Sequence, residues 1–190
     1  MMNLPDIHFT PGYVRAFEAH EGAKTEIFEH KCEDGHVYHI YMRRMLEGYP
    51  GYETYSDIFT AYGYGGPLIL ACKPGREEAL VQQYRKAFDT YCQENKILSA
   101  FARFHPLFDN ARAFASCYDS VDAIRRIAIS DLSGEEPFRQ ELSRSVRRAY
   151  NKAPLEGVEV VMDYDCERLD DFIEIYEDTM QKNRAGSYYY

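Results

Sequence analysis

Apolar and polar positions alternate most clearly over residues 36–46, where Tyr38, Ile40, Met42 and Leu46 take one side and Val37, His39, Tyr41 and Arg43 the other. Both sides are semi-apolar, which predicts a strand in the middle of a sheet. Lys24 to Cys32 reads as its hairpin partner, with Asp34-Gly35 as the turn signal. Further short strands are expected over Tyr55 to Ala61 and Leu68 to Cys72, and a short helix over Pro11 to His20. The best-defined helix runs from about Arg76 to Asn95, with Leu80, Tyr84, Ala87, Phe88 and Tyr91 recurring as one stripe. A strand from Ile97 to His105 follows, stopped by Pro106; it would carry Arg103 and His105 on the same face as Ile97, Ser99 and Phe101. Ala113 to Tyr118 and Ala123 to Asp131 read as two more strands. This order predicts an α+β fold, a mixed and largely antiparallel sheet flanked by helices, and not a doubly wound one.

After Asp131 the pattern changes. Ser133-Gly-Glu-Glu136 resembles a capping box, opening a helix that runs to about Ala153 with an apolar line of Phe138, Leu142, Val146 and Ala149. Arg144, Arg148 and Lys152 form a basic stripe on it, with Arg147 alongside. A solvated face paired to acids and a clamp for phosphate or carboxylate both fit that stripe. Val158 to Met162 then reads as a strand, and Cys166 to about Ala185 as an amphipathic helix. The division expected is a first domain over residues 1–132, a linker helix over 133–153, and the first strand and helix of a second unit over 154–190. One strand and one helix do not close a core, so residues 154–190 are expected to mark an incomplete unit or a homodimer contact.

The composition narrows the function classes. A net charge of −9 with 15% aromatic residues, 17 of them Tyr and none Trp, gives a surface rich in amphipathic rings and poor in positive charge. Such a surface argues against general nucleic-acid binding. No stretch approaches the ~20 apolar residues of a membrane span, and the first residues do not form a signal peptide, so a cytoplasmic chain is expected. The five cysteines are odd in number and scattered, which suits reduced thiols. The stretch from His30 through Cys32 and His36 to His39 fits no standard zinc spacing, and no metal is expected there.

Two stretches carry the candidate chemistry. In Tyr62-Gly63-Tyr64-Gly65-Gly66-Pro67, the glycines bring main chain close to whatever it touches, while the tyrosines add flat faces and hydroxyl tips. In Arg103-Phe-His105-Pro106, a guanidinium and an imidazole stand at the end of the expected strand. A tyrosine-lined surface loop beside a salt-bridged arginine fits the same residues. His105 is a weak candidate base, and a structural hydrogen-bonding role suits it as well.

Taken with Arg103-Phe-His-Pro-Leu107, the Arg147-Arg-Ala-Tyr-Asn-Lys-Ala153 helix end and the Phe172, Tyr176, Thr179-Met180 and Tyr188-Tyr-Tyr190 series, the glycine–tyrosine stretch resembles the FemAB-like branch of the GNAT superfamily. That resemblance implies tandem GNAT-like units and transfer of an acyl or aminoacyl group to an amine, with a peptidoglycan precursor as one known acceptor. The donor implied is acyl-CoA or aminoacyl-tRNA. Tyr62, Gly63, Tyr64, Gly65, Gly66, Arg103, His105, Arg147, Arg148 and Lys152 would line a cleft for an anionic small-molecule or peptide acceptor. The family's pyrophosphate loop has no counterpart here: Cys72-Lys-Pro-Gly-Arg76 has the wrong spacing and a proline that removes a donor. The chain is therefore expected to lack the donor half and to be inactive alone. A non-catalytic remnant that binds a ligand or partner is the alternative.

Overall fold

A computed structural model describes residues 4–130, 133 and 142–189. The chain divides into two units, residues 1–124 and 125–190. The architecture of the first is α+β, an open and mostly antiparallel mixed sheet flanked by helices.

Strands β1 (Lys24–Cys32) and β2 (Gly35–Met45) form the expected hairpin, in register from Lys24 opposite Arg43 to Cys32 opposite Gly35. The other side of β2 is shared. Its carboxyl half pairs antiparallel with β3 (Ser56–Phe59), and its amino half with β4 (Leu68–Cys72). Strand β5 (Ile97–Phe101) adds to β3 in parallel.

The alternation along β2 sorts directly into two cores. Tyr38, Ile40 and Met42 pack with Phe9, Val14 and Leu68 under the N-terminal segment. Val37 and Tyr41 pack with Ile58 against Leu80, Val81, Tyr84 and Phe88. These last four lie on α3 (Glu77–Glu94), and burying each large side chain contributes about 1.5–3 kcal/mol. Glu77 and Glu78 open α3 where its dipole favours acids. The Asp34 carboxylate of the β1–β2 turn accepts from Arg76 Nε (2.8 Å), Arg76 Nη2 (3.1 Å) and Gln83 Nε2 (2.8 Å), tying the hairpin to the start of α3. The Arg76 hydrogen bond holds the Asp34 carboxyl below its usual range.

The structure corrects several expected elements. The N-terminal helix is two pieces, α1 (Pro11–Arg15) and α2 (Glu18–Glu21), with Thr10 capping the first and Phe17 between them. Strand β5 stops at Phe101, so Arg103 and His105 lie beyond it and do not share a strand face. The run from Ala113 to Tyr118 is no strand. A short helix α4 (Asn110–Ala113) and a 3-10 turn (Ala115–Cys117) occupy it, because Phe114 turns inward, fully buried and edge-on to Tyr84 at 5.3 Å. Residues 121–130 have no regular structure, and Asp131 lies outside the described residues.

In the second unit the basic helix is described from Arg144 to Lys152, capped by Ser143; the expected start at 133–136 lies mostly outside the described residues. Val158 to Met162 is not a strand, since it has no pairing partner among the described residues. The last helix spans Leu169–Lys182. Among the described residues no helix is long and apolar enough to cross a membrane.

Candidate functional site

The loop of residues 60–67 joins β3 to β4 and extends the parallel β3–β5 pairing past the ends of both strands. Thr60 N–H donates to Phe101 O (3.1 Å), Arg103 N–H to Thr60 Oγ1 (2.9 Å) and Gly65 N–H to Arg103 O (2.8 Å). Gly65 and Phe104 then form an isolated parallel bridge. Asn110, 2% exposed, closes the junction: its Oδ1 accepts from His105 N–H (3.0 Å), and its Nδ2 donates to Gly65 O (2.8 Å) and Pro67 O (3.1 Å). The two stretches singled out in the sequence are thus one piece of structure.

A third segment meets them. Asp6 caps the 3-10 turn Ile7–Phe9, its Oδ1 accepting from His8 N–H (2.9 Å) and from His8 Nδ1 (2.5 Å). The His8 ring packs edge-on to Tyr64 (5.6 Å), His105 (5.6 Å) and Tyr13 (4.9 Å). Tyr64 packs edge-on to His105 at 5.4 Å. Tyr13 donates from its hydroxyl to Tyr62 O (3.0 Å), and Phe17 stacks on the Tyr62 ring (6.1 Å). Arg103 is exposed and spends one Nη1 hydrogen on Gly63 O (3.4 Å), leaving most of its donor fork turned to solvent.

The hydrogen bonds fix the proton positions. Burial would raise the Asp6 carboxyl, but the hydrogen bonds from His8 and the charges of His8 and His105 outweigh it and hold the group below its usual range. An ionised Asp6 only accepts, so His8 Nδ1 carries a hydrogen and an unprotonated ring keeps its lone pair on Nε2. At His105, Nδ1 accepts from Leu107 N–H (3.2 Å), which puts the ring hydrogen on Nε2, 3.7 Å from Asp6 Oδ1. Burial pushes the His105 imidazole below its usual value. Both His105 nitrogens are therefore engaged or directed inward, and its side chain is 4% exposed.

Asp6, His8 and His105 each offer a ligand atom, all within 4.8 Å of one another. A divalent ion would need a lone pair on His105 Nε2, which requires a hydrogen on Nδ1 facing the Leu107 N–H donor. The observed bonding fits an Asp–His pair better than a metal centre.

Gly63 packs its backbone against the Nε2–Cδ2 edge of the His8 ring. At φ +96° it occupies backbone space that side-chain-bearing residues avoid, and a Cβ there would lie 2.6 Å from His8 Nε2 and 3.3 Å from the Tyr13 hydroxyl. Gly63→Ala is expected to destabilise the chain by about 1–3 kcal/mol through backbone strain and this collision. A shift in urea midpoint at unchanged slope measures it; a midpoint within error of the parent would show that His8 does not sit against Gly63.

The remaining sequence candidates lie in the second unit. Arg147 Nη2 donates to Leu142 O (3.1 Å), Lys152 pairs with Glu156 (2.6 Å), and Arg148 is exposed. Two of the residues weighed for metal in the hairpin are engaged, while His30 Nε2 is buried without a hydrogen-bond partner among the described residues. His36 Nε2 pairs with Glu29 (2.8 Å), and His39 is buried against the Tyr84 hydroxyl (2.8 Å). Asp6, His8 and Tyr13 were missed from sequence, although Asp6-x-His8 ahead of Thr10-Pro11 is a capping signal that could have found the turn. A concavity of about 550 Å³ lies elsewhere, between α1–α2 and the end of β2, lined by Arg15, Glu18, Lys24 and Arg43. Its cations are interleaved with Glu18 and Glu47, so it shows no single charge preference. No family model, curated protein or solved structure matches the chain.

Proposed function

We propose that this chain belongs to an N-acyltransferase or aminoacyltransferase of the FemAB-like, GNAT-related kind, and that its first unit takes the amine acceptor. The reading is supported above all by the convergence of the glycine–tyrosine loop with Arg103 and the His8 and His105 rings, through the bonds of Gly65 and Asn110. A GNAT-like unit with a peptidoglycan precursor, or another anionic small-molecule or peptide amine, as acceptor accords with that arrangement. The exposed Arg103 fork suits a phosphate or carboxylate on such an acceptor, and Tyr62 and Tyr64 supply the flanking faces.

The donor is engaged elsewhere. The β4–α3 junction, where a pyrophosphate would meet backbone N–H groups, is flanked by Glu77, Glu78 and the Asp34 carboxylate, and Arg76 is already spent on Asp34. Acyl-CoA and aminoacyl-tRNA both remain candidate donors on chemical grounds.

Transfer from acyl-CoA and aminoacyl-tRNA donors to amine acceptors with and without a phosphate tests the reading. Arg103→Ala is expected to raise the KM for the anionic acceptor about 10- to 100-fold, the worth of a charge-assisted hydrogen bond, with little change for the neutral one. Equal effects on both acceptors, or no transfer with any donor, would refute it. A second reading, a partner-binding chain that self-associates through residues 154–190, is favoured by the exposure of Val160 (91%) and Phe172 (62%). Light scattering on the full chain separates the two: a monomer at all concentrations removes self-association.

A further inference from the structure

We propose that the open edge of β5 is a self-association surface whose occupant is β5 of a second copy of this chain, paired antiparallel so that the two sheets become one. The inference goes beyond the acyl-transfer reading and does not depend on it. Three observations carry it.

The first is the state of the edge. Strand β5 ends the order β1-β2-β3-β5 and pairs only with β3 among the described residues, so one side of its backbone has no strand beside it. All of its residues but Ile97 are exposed, Leu98 at 54% and Phe101 at 60%. The run Ile97-Leu-Ser-Ala-Phe101 holds no charge and no proline. Such an edge is a template for another strand, and charged side chains are a common guard against that. The edge at β1 has the guard, with Lys24, Glu26, Glu29 and Lys31 along it. The edge at β5 does not.

The second is the direction of the backbone groups. Phe101 O accepts from Thr60 N–H (3.1 Å), while Arg103 gives its N–H to Thr60 Oγ1 (2.9 Å) and accepts from Gly65 N–H (2.8 Å). Both residues therefore turn their backbone toward β3 and the loop that follows it. Direction alternates along a strand, so Ala100 turns its N–H and C=O to the open side, and Leu98, beside the β3–β5 bulge, does the same.

The third is self-complementarity. A two-fold axis at Ser99 sets Leu98 opposite Ala100 of the second copy, and Ala100 opposite its Leu98. Each such pair exchanges both N–H···O=C bonds, so the outward groups of the edge satisfy one another. A large side chain then lies beside a methyl group, and Ser99 meets Ser99 with the hydroxyls within reach of each other. Continuing the register sets Lys96 opposite Ala102 and Arg103 opposite Asn95, so no like charges face each other across the seam. The contact is isologous and closes on itself as a dimer.

The test is light scattering with amide hydrogen exchange on the full chain. Wild type is expected to pass from monomer to dimer between about 1 and about 100 μM, a range suited to a small interface. Ala100 N–H is expected to be protected at the high end of that range and to exchange freely at the low end. Leu98→Lys carries an ammonium into the seam and should raise the dissociation constant about 10-fold or more. Phe172→Glu should leave the dimer and the Ala100 protection unchanged, which separates this surface from self-association through residues 154–190. A wild type that stays monomeric throughout, a dimer that Leu98→Lys leaves intact, or a dimer in which Ala100 N–H exchanges freely overturns the inference. A dimer lost in Phe172→Glu and kept in Leu98→Lys overturns it in favour of the second unit. Should Leu98→Lys lower the urea midpoint, exchange at Ala100 in the wild type still decides.

Discussion

Asn110→Ala is expected to lower the stability of the chain by about 3–5 kcal/mol, more than any surface change at the site, because three buried backbone groups lose their partner at once. The Asn110 side chain accepts from His105 N–H and donates to Gly65 O and Pro67 O, and no water can replace it without a cavity polar enough to hold one. Each orphaned group costs roughly 1–3 kcal/mol, and partial relaxation of the loop brings the sum down to the expected range. Asn110→Asp is the sharper probe. It keeps the acceptor for His105 N–H but turns a carboxylate oxygen toward two carbonyls, so it should be at least as damaging as alanine despite near-identical shape. Urea unfolding followed by circular dichroism measures both. A loss below about 1 kcal/mol for alanine, or an aspartate variant close to wild type, would mean that the loop and the His105 segment are held together by something other than this amide.

The position of Asn110 also shows where sequence stops being informative. The β1–β2 hairpin and α3 were legible because their signals are local: a turn dipeptide between alternating runs, and a stripe repeating over about three turns. The two-sided apolar pattern of β2 pointed to a central strand, which it is, and a core packs on each of its faces. The reach of β5 was not legible. Ile97 to His105 alternates well, yet the ladder ends at Phe101 because Thr60 and Gly65, some forty residues away, take the next backbone groups. Ala113 to Tyr118 misled for a related reason. A short apolar run fits a strand or a buried turn equally, and the burial of Phe114 beside Tyr84 decided it. At the site, the glycine–tyrosine loop, Arg103 and His105 could be picked out by residue type. That they meet, and that Asp6 and His8 complete them, depends on contacts of long sequence separation with no periodic trace.

Acidification is expected to destabilise the chain well above the range in which carboxylates titrate, by about 3 kcal/mol between pH 7.5 and pH 4.5. His39 is the cause. It lies in the middle of β2, 3% exposed, its ring against Tyr41 and Phe88 and its Nδ1 sharing a hydrogen with the Tyr84 hydroxyl. Burial lowers its imidazole from an ordinary 6.5 to about 3. The unfolded chain therefore takes up a proton as pH falls through about 6.5, while the folded chain refuses it until near 3, so stability drops across that whole interval. His105, lowered by its own burial, adds in the same direction. The Asp34 carboxyl, held down by Arg76, loses its contribution only as the pH falls below the ordinary carboxylate range, so the two effects separate on the pH axis. His39→Gln should be less stable than wild type at pH 7.5, since the Tyr84 partner is imperfectly replaced, yet much flatter between pH 6.5 and 4.5. Urea midpoints at four or five pH values draw both curves, and parallel curves would place the acid sensitivity outside β2. A histidine this deep is a cost the sheet carries at low pH, and the fold tolerates it because at neutral pH a ring of that size and a tyrosine hydroxyl satisfy one another between two layers that leave room for neither charge nor water.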